Sequence, residues 1–346
     1  LTMSYITFQP SDYFVTKLWT GTGSSNSLTG VGFQPDLVWI KRRSAISSNQ
    51  LFDAVRGVTK RVFSDSNEAE STDATTLTSF DSDGFTVSTH TGLNNSSDTY
   101  ASWNWKANGQ GSANSDGTIT TTYTSANSTS GVSISTYTGT GSSGTIGHGL
   151  GVAPKMVIVK SLSSTTWWMC YHASLGNDKE FYLNSTNPAS SSITWNSTTP
   201  TSSVISLNPA GGSGVNVSGV NYVCYSFAEV LGFSKISSYI GNGSSDAPFL
   251  NCGFKPSFVM IKGIDSGGSD NWNIIDSKRL GYNGNNNRLF ANSNAVENTT
   301  SIADILSNGF KLRVSSTDVN ASDKTYIFMA FAEAPLVGSN NVPCTA

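Results

Sequence analysis

One pattern occurs three times along the chain and limits what the chain can fold into. A turn of small residues, Gly21-Thr22-Gly23-Ser24-Ser25, returns as Gly139-Thr140-Gly141-Ser142-Ser143 and as Gly241-Asn242-Gly243-Ser244-Ser245. A proline follows each turn (Pro35, Pro154, Pro256). Behind each proline runs an apolar stretch ending in lysine: Asp36-Leu37-Val38-Trp39-Ile40-Lys41, Lys155-Met156-Val157-Ile158-Val159-Lys160 and Ser257-Phe258-Val259-Met260-Ile261-Lys262. Self-similarity at a period of roughly 100–120 residues is the mark of a repeat architecture.

The rest of each repeat keeps the same order of elements. Short runs with partial alternation recur between Gly, Asn, Asp and Ser, as strands joined by turns require. In repeat one they are Gln50–Gly57, Val62–Asn67, Thr78–Val87 and Tyr100–Trp105. Repeat two has Trp168–Gly176, Phe181–Thr186, Ser203–Leu207 and Tyr222–Phe227, and repeat three has Trp272–Gly281, Leu289–Asn294, Asn308–Leu312 and Tyr326–Phe331. Charged residues make up only 12% of the chain, so the best helix formers are scarce. The eight Trp, twelve Tyr and seventeen Phe exclude a disordered chain, which lacks the aromatics needed to offset chain entropy. The pattern therefore predicts an all-β protein of three tandem antiparallel β-sandwich repeats of about 100 residues each.

The expected organisation is an arm over 1–17, repeats over 18–107, 132–232 and 233–335, and a tail over 336–346. The stretch 108–131, almost without large apolar residues, reads as a flexible or weakly extended linker. The arm is apolar enough to dock, either on a partner subunit or on the first repeat. Within the motif, the glycines allow the chain to turn at positive backbone angles, and proline suits a strand's first residue. The apolar run fits a central strand buried on both faces. The lysine is expected to emerge at the rim of the sandwich, snorkelling or ion-paired, and the motif as a whole reads as a hairpin and central strand.

Candidate chemistry is sparse. A net charge of −3 gives no electrostatic footprint for nucleic acid. No apolar run approaches the ~20 residues of a membrane span, and the start of the chain lacks the pattern of a secretory signal. The expectation is a soluble protein outside the secretory route. Cys170, Cys224, Cys252 and Cys344 have neither CxxC spacing nor histidine partners and read as buried free thiols rather than zinc ligands. His90, His148 and His172 do not recur between repeats, which excludes a three-fold metal site. Asp81-Ser82-Asp83-Gly84 reads as a turn rather than a calcium loop, and the glycine-rich segments lack the Walker lysine. Glu229 and Glu333 recur at matching strand ends, too separate to cooperate as the two carboxylates of a glycosidase. No catalytic residue, metal or cofactor is expected. The physical option left is carbohydrate recognition through Trp167, Trp168, Trp195 and Trp272, near loops or strand ends, with core packing as the alternative for each.

Nearly the whole chain, from about Ser4 to Pro335, resembles a repeat of uncharacterised function in marine bacteriophage structural proteins. The runs that carry the likeness include GVGFQPDLVWIK, ESTDATTLTSFDSDGFTV, YASWNWKANG and GTIGHGLGVAPKMVIVK. The resemblance implies a non-enzymatic virion protein assembled in the host cytoplasm, with jelly-roll or lectin-like sandwiches on the particle exterior. It implies other virion proteins as partners and brings no catalytic motif. Two roles are open: a tail fibre or adhesin meeting host-surface glycans through variable loops, or a capsid decoration or head fibre with a purely structural task. Homotrimerisation is common in viral fibres, yet three internal repeats could replace it, so both are open.

Overall fold

The computed structural model describes residues 8–210, 214–265, 270–279, 283 and 286–335. It is almost entirely β, built from antiparallel sheets with no closed barrel. Each repeat contains one large sheet and one small sheet. The large sheet of repeat one orders its strands Phe14–Thr20, Thr99–Trp105, Leu37–Arg42, Gln50–Asp53, Lys60–Phe63 and Ser71–Thr72. That of repeat two runs Tyr123–Asn127, Val132–Thr138, Asn221–Phe227, Met156–Ser161, Met169–His172, Lys179–Tyr182 and Ser190–Ser191. That of repeat three runs Ser234–Ile240, Thr325–Pro335, Phe254–Gly263, Asn273–Asp276 and Leu289–Phe290. The small sheets comprise Asn26–Leu28, Gly84–Val87 and Leu77–Asp81; Gly144–Gly147 and Val204–Leu207; and Phe249–Asn251, Gly309–Leu312 and Ala303–Leu306. No helix among the described residues is long and apolar enough to cross a membrane.

The apolar run behind each proline is central in its sheet and buried on both faces, for two separate reasons. In repeat one, Val38 and Ile40 face the small sheet and pack with Trp19, Leu28, Phe52, Phe85 and Tyr100. Leu37 and Trp39 point the opposite way, as the period of two dictates, into a larger cluster drawn from all three repeats. Repeat two divides alike, Val157 and Val159 toward its own sandwich and Met156 and Ile158 toward the common cluster. The three large sheets thus turn their second faces toward one another. Trp105 sits where they meet, with ring centroids 4.9 Å from Phe14, 6.2 Å from Phe227, 5.6 Å from Phe258 and 5.5 Å from Phe331.

The repeated turn is a corner rather than a hairpin. It carries the chain from the large sheet to the small one, because the strands on either side of it belong to different sheets. Only its second glycine has a positive φ (Gly23, Gly141, Gly243). The first is required by close approach: a Cβ at Gly21, Gly139 or Gly241 would stand 2.1, 2.2 or 2.1 Å from a backbone carbonyl oxygen. A buried asparagine fixes each corner. Asn94, Asn216 and Asn320 accept from the amides of Thr22, Thr140 and Asn242, all at 2.9 Å, and donate to the carbonyls of Ser24, Ser142 and Ser244. Beside each corner an aromatic pair stacks: Trp19 on Tyr100, Tyr137 on Tyr222 and Tyr239 on Tyr326, at 5.3, 5.0 and 5.1 Å. Pro256 marks a bulge within its strand, where the register shifts on both sides of it, as expected of a residue that cannot donate to the ladder.

The lysines that end the apolar runs are buried, not at the rim. Each uses its ammonium to clamp two repeats together. Lys41 donates to Ser47 O of its own repeat (2.6 Å) and to Asn294 O of repeat three (3.1 Å). Lys160 donates to Thr166 O and to Asn67 O of repeat one (3.1 and 3.2 Å), and Lys262 to Asp270 O and to Thr186 O of repeat two, the latter at 2.9 Å. Burial lowers all three pKa values to about 8. Backbone bonds follow the same circuit: Glu70 N to Leu162 O, Ala189 N to Ile264 O and Glu297 N to Arg43 O, at 3.0, 2.9 and 3.0 Å. Repeat two grips repeat one, repeat three grips repeat two, and repeat one grips repeat three. The contacts close a ring, so no repeat is left with a bare end of the kind that a linear repeat array must cap.

Two further expectations need correction. The stretch 108–131 is not a flexible linker: Tyr123–Asn127 adds an edge strand to the large sheet of repeat two, and Ile119 is buried beside Ile146. Its hydroxyls, which make the sequence look like linker, are satisfied locally, as in the chain Thr121–Thr124–Ser135. The arm docks on repeat three as well as repeat one, with Phe8 and Tyr13 edge-on to Phe233 while Phe14 already belongs to the first sheet. Residues 1–7 and the tail 336–346 lie outside the described residues.

Candidate functional site

The three junctions share the lysine clamp and the common core, and differ in some buried polar partners and at their rims. At the junction of repeats one and two lies an open cleft of about 440 Å³. One side comes from repeat one, with Lys60 and Glu70 above buried Arg56. The other comes from repeat two, with Thr136, Ser163 and Asn221. The third wall is the stretch mistaken for a linker, which supplies Gln110, Thr122 and Tyr123.

Arg56 anchors the floor. Its Nε donates to Asp53 Oδ2 (2.6 Å), Nη1 to Glu70 Oε2 (3.0 Å) and Nη2 to Leu51 O (3.0 Å), while Tyr225 of repeat two donates its hydroxyl to Asp53 Oδ2 (2.8 Å). Burial alone would disfavour the guanidinium. Asp53, Tyr225 and Glu70 outweigh it and hold Arg56 firmly charged. The same device joins repeats three and one: Arg279 Nε donates to Asp276 Oδ2 (2.7 Å), which also accepts from Trp103 Nε1 (3.0 Å).

The third junction departs from this scheme. Repeat two has His172 at the strand end where the others have Asp53 and Asp276, and repeat three has Met329 where the others have Tyr225 and Trp103. With no aromatic donor opposite, a neutral imidazole replaces the carboxylate. Burial lowers the His172 pKa to about 4, Lys155 adding to the shift and the Phe328 backbone opposing it. Between its ordinary 6.5 and 4 the unfolded chain takes up a proton that the folded chain refuses, so stability falls as pH falls through that window. The loss amounts to about 1.4 kcal/mol per pH unit at most. Urea unfolding at pH 4.5 and 7 is expected to show this slope, flattened in His172→Asn. An unchanged slope in the variant would assign the acid sensitivity elsewhere.

The four tryptophans do not form a site together. Trp168 and Trp272 are buried and work as cross-repeat donors, Trp168 Nε1 to Phe63 O and Ser66 O of repeat one (2.9 and 3.0 Å) and Trp272 Nε1 to Tyr182 O of repeat two (2.9 Å). Asn49 makes the matching bonds in repeat one, to Phe290 O and Ser293 O of repeat three. Trp195 is buried against Tyr171 and donates to Lys179 O. None of these three offers a face to a sugar. Trp167 alone is open, 41% exposed and tilted over Tyr182, and it does not line the cleft.

The other candidates have structural partners. His148 accepts from Leu150 N and faces Thr201 O, while Asp83 accepts from Gly30 N and Gly32 N. Glu229 pairs with Lys235. Cys170, Cys224 and Cys252 are buried free thiols, and Cys344 lies outside the described residues. Among the described residues, no group of three or more His, Cys, Asp or Glu is arranged to hold a metal ion. Sequence reasoning overlooked the cleft residues and the corner asparagines. A signal for the asparagines was present, since each precedes its stacked tyrosine by the same interval. Nothing in the sequence marked Glu70 or Tyr123.

A family model described as a domain of unknown function, DUF7483, matches residues 9–335 in one piece. The chain belongs to this family. The DUF7483 match runs through all three repeats and so covers the whole ring of this chain, not one sandwich of it. No curated protein and no solved structure matches the chain.

Proposed function

We propose that this DUF7483 chain is a structural protein on the exterior of a bacteriophage particle, a tail fibre or adhesin that meets the host surface. The sequence resemblance supports the virion setting. The observation that carries the exterior role is the division of labour within the ring. What the three copies share is packed inside, in the lysine clamps, corner asparagines and common core. Copies differ inside as well, at Asp53, His172 and Asp276, but the largest difference, the added segment 108–131, lines an open cleft at one rim with Gln110, Thr122 and Tyr123. A rigid scaffold with divergent loops suits recognition of a surface, and the role needs no catalytic group. The ring is complete within one chain, so the proposal takes a single chain as the folded unit.

Immunogold labelling of purified particles with an antibody to this chain tests the reading. Label at the tail or its fibres, together with binding to host cells that the free protein competes away, is the expected result. Label spread over the capsid with no host-cell binding would overturn it in favour of a capsid decoration.

A further inference from the structure

We infer that the cleft between repeats one and two is a binding site for a neutral saccharide. The inference rests on the exterior-adhesin reading and names where that contact is made. It starts from broken symmetry. Each of the three junctions holds the same clamp, but this one receives a long inserted segment, which adds a strand and raises a wall with Gln110, Thr122 and Tyr123. The passage from repeat two to repeat three takes only the few residues between Phe227 and Ser234 and builds no such wall. The insertion serves no purpose in closing the ring, which the other junctions close without one.

Size, polarity and charge restrict the ligand. About 440 Å³ falls within the range of roughly 300–1,000 Å³ typical of small-molecule sites. Such sites are mostly apolar, whereas this one offers the hydroxyls of Thr122, Thr136 and Ser163, the amides of Gln110 and Asn221, and the Glu70 carboxylate. Glu70 is held from behind by Arg56 through Oε2. Among the described residues no donor bonds its Oε1, which is left to accept from a ligand hydroxyl. Half-buried Tyr123 provides a ring against which the apolar face of a pyranose can lie.

The lining carries Arg56 and Lys60 against Glu70, and Asp53 behind the floor pairs with Arg56 and offsets the remaining charge. The one buried cation is already consumed by two carboxylates. A phosphate or sulfate would have only Lys60, exposed at the edge, to oppose its charge. A ligand rich in hydroxyls and without charge matches the donors, acceptors and ring that remain.

The full chain on an array of neutral and sulfated oligosaccharides, followed by calorimetry on the best neutral ligand, tests the assignment, with inorganic phosphate as the anionic probe. Binding of a neutral saccharide is expected, weakened by roughly tenfold or more in Tyr123→Ala and in Gln110→Ala through loss of the ring face and of a hydrogen bond. Trp167→Ala is expected to bind like the parent. Thermal melting of each variant establishes that it is folded; Tyr123 packs against the margin of the common core, whereas exposed Gln110 does not, so Gln110→Ala tests the cleft without disturbing the core. Undiminished binding in both cleft variants, or loss in Trp167→Ala instead, would overturn the cleft while leaving the adhesin reading standing. Preference for phosphate or sulfated glycans would overturn the neutral-ligand assignment. Binding to no saccharide, with the label still on the tail and host-cell attachment intact, would also sink the inference and point the contact toward a protein receptor.

Discussion

Asp276→Ala is expected to destabilise the chain by about 3–5 kcal/mol, the cost of leaving a buried charge without its partner. Asp276 and Arg279 both have fully buried side chains. The Asp276 carboxylate accepts from Arg279 Nε and Trp103 Nε1 through Oδ2 and from the Lys278 and Arg279 amides through Oδ1. Removing it orphans the indole of a different repeat and strips Arg279 to its bonds with Glu297 and Ile274 O. Glu297 is in turn held by Arg43 of repeat one through two bonds of 2.8 and 2.9 Å. The pair is therefore a joint between repeats as well as a charge pair. The double variant Asp276→Leu, Arg279→Met is expected to recover most of the loss, because replacing both members of a buried pair by apolar groups is often neutral or better. Urea unfolding followed by tryptophan fluorescence measures both variants. A loss below about 1 kcal/mol in the single variant, the range of an exposed pair, would show that the charge finds water on local relaxation. A double variant as unstable as the single one would show that the joint depends on its geometry and not on its charge.

The sequence made the repeat, the succession of elements along it and the central strand legible, because each depends on local chemistry. A glycine at a crowded corner, a proline that cannot donate and an apolar run of alternating destination all leave their trace within a few residues. What it hid was the way the repeats meet. Val38 and Leu37 look alike in sequence, yet one packs against its own small sheet and the other against two further repeats. A lysine at the end of such a run suggests a rim, since an ammonium is costly to bury. Here two backbone carbonyls, one from each side of a junction, satisfy it. Tryptophans near loops suggest exposed platforms, but Trp168 and Trp272 stand at junctions where their indoles find carbonyls of the neighbouring repeat. The stretch 108–131 shows the same effect from the polar side. Its hydroxyls and amides bond to each other and to repeat two, so a segment with linker composition becomes a strand and one wall of a cleft.

A chain consisting of residues 233–335 alone is expected not to fold as a monomer. In the full protein Phe258 contacts Phe14, Trp103 and Trp105 of repeat one, and Phe331 contacts Phe14, Trp105 and Phe227 of repeats one and two. Trp272 and Lys262 both bond to carbonyls of repeat two. Aromatic side chains bury about 150–250 Å² each. Exposing half of that for Phe258, Phe331 and Trp272 forfeits about 7 kcal/mol at ~25 cal/mol per Å². That matches the whole stability of an ordinary domain, about 5–15 kcal/mol, before the Lys262 ammonium and the Arg43 contact to Glu297 are considered. The isolated repeat still has the self-complementary faces that close the ring, so any folded form is expected to be an association of three copies, visible by sedimentation. By the same reasoning the full chain unfolds in one transition, with near-ultraviolet and far-ultraviolet circular dichroism coinciding. A monomeric fragment with a cooperative melt, or a full chain that melts in separate steps, would show instead that each sandwich is self-sufficient and that the common core only docks finished domains.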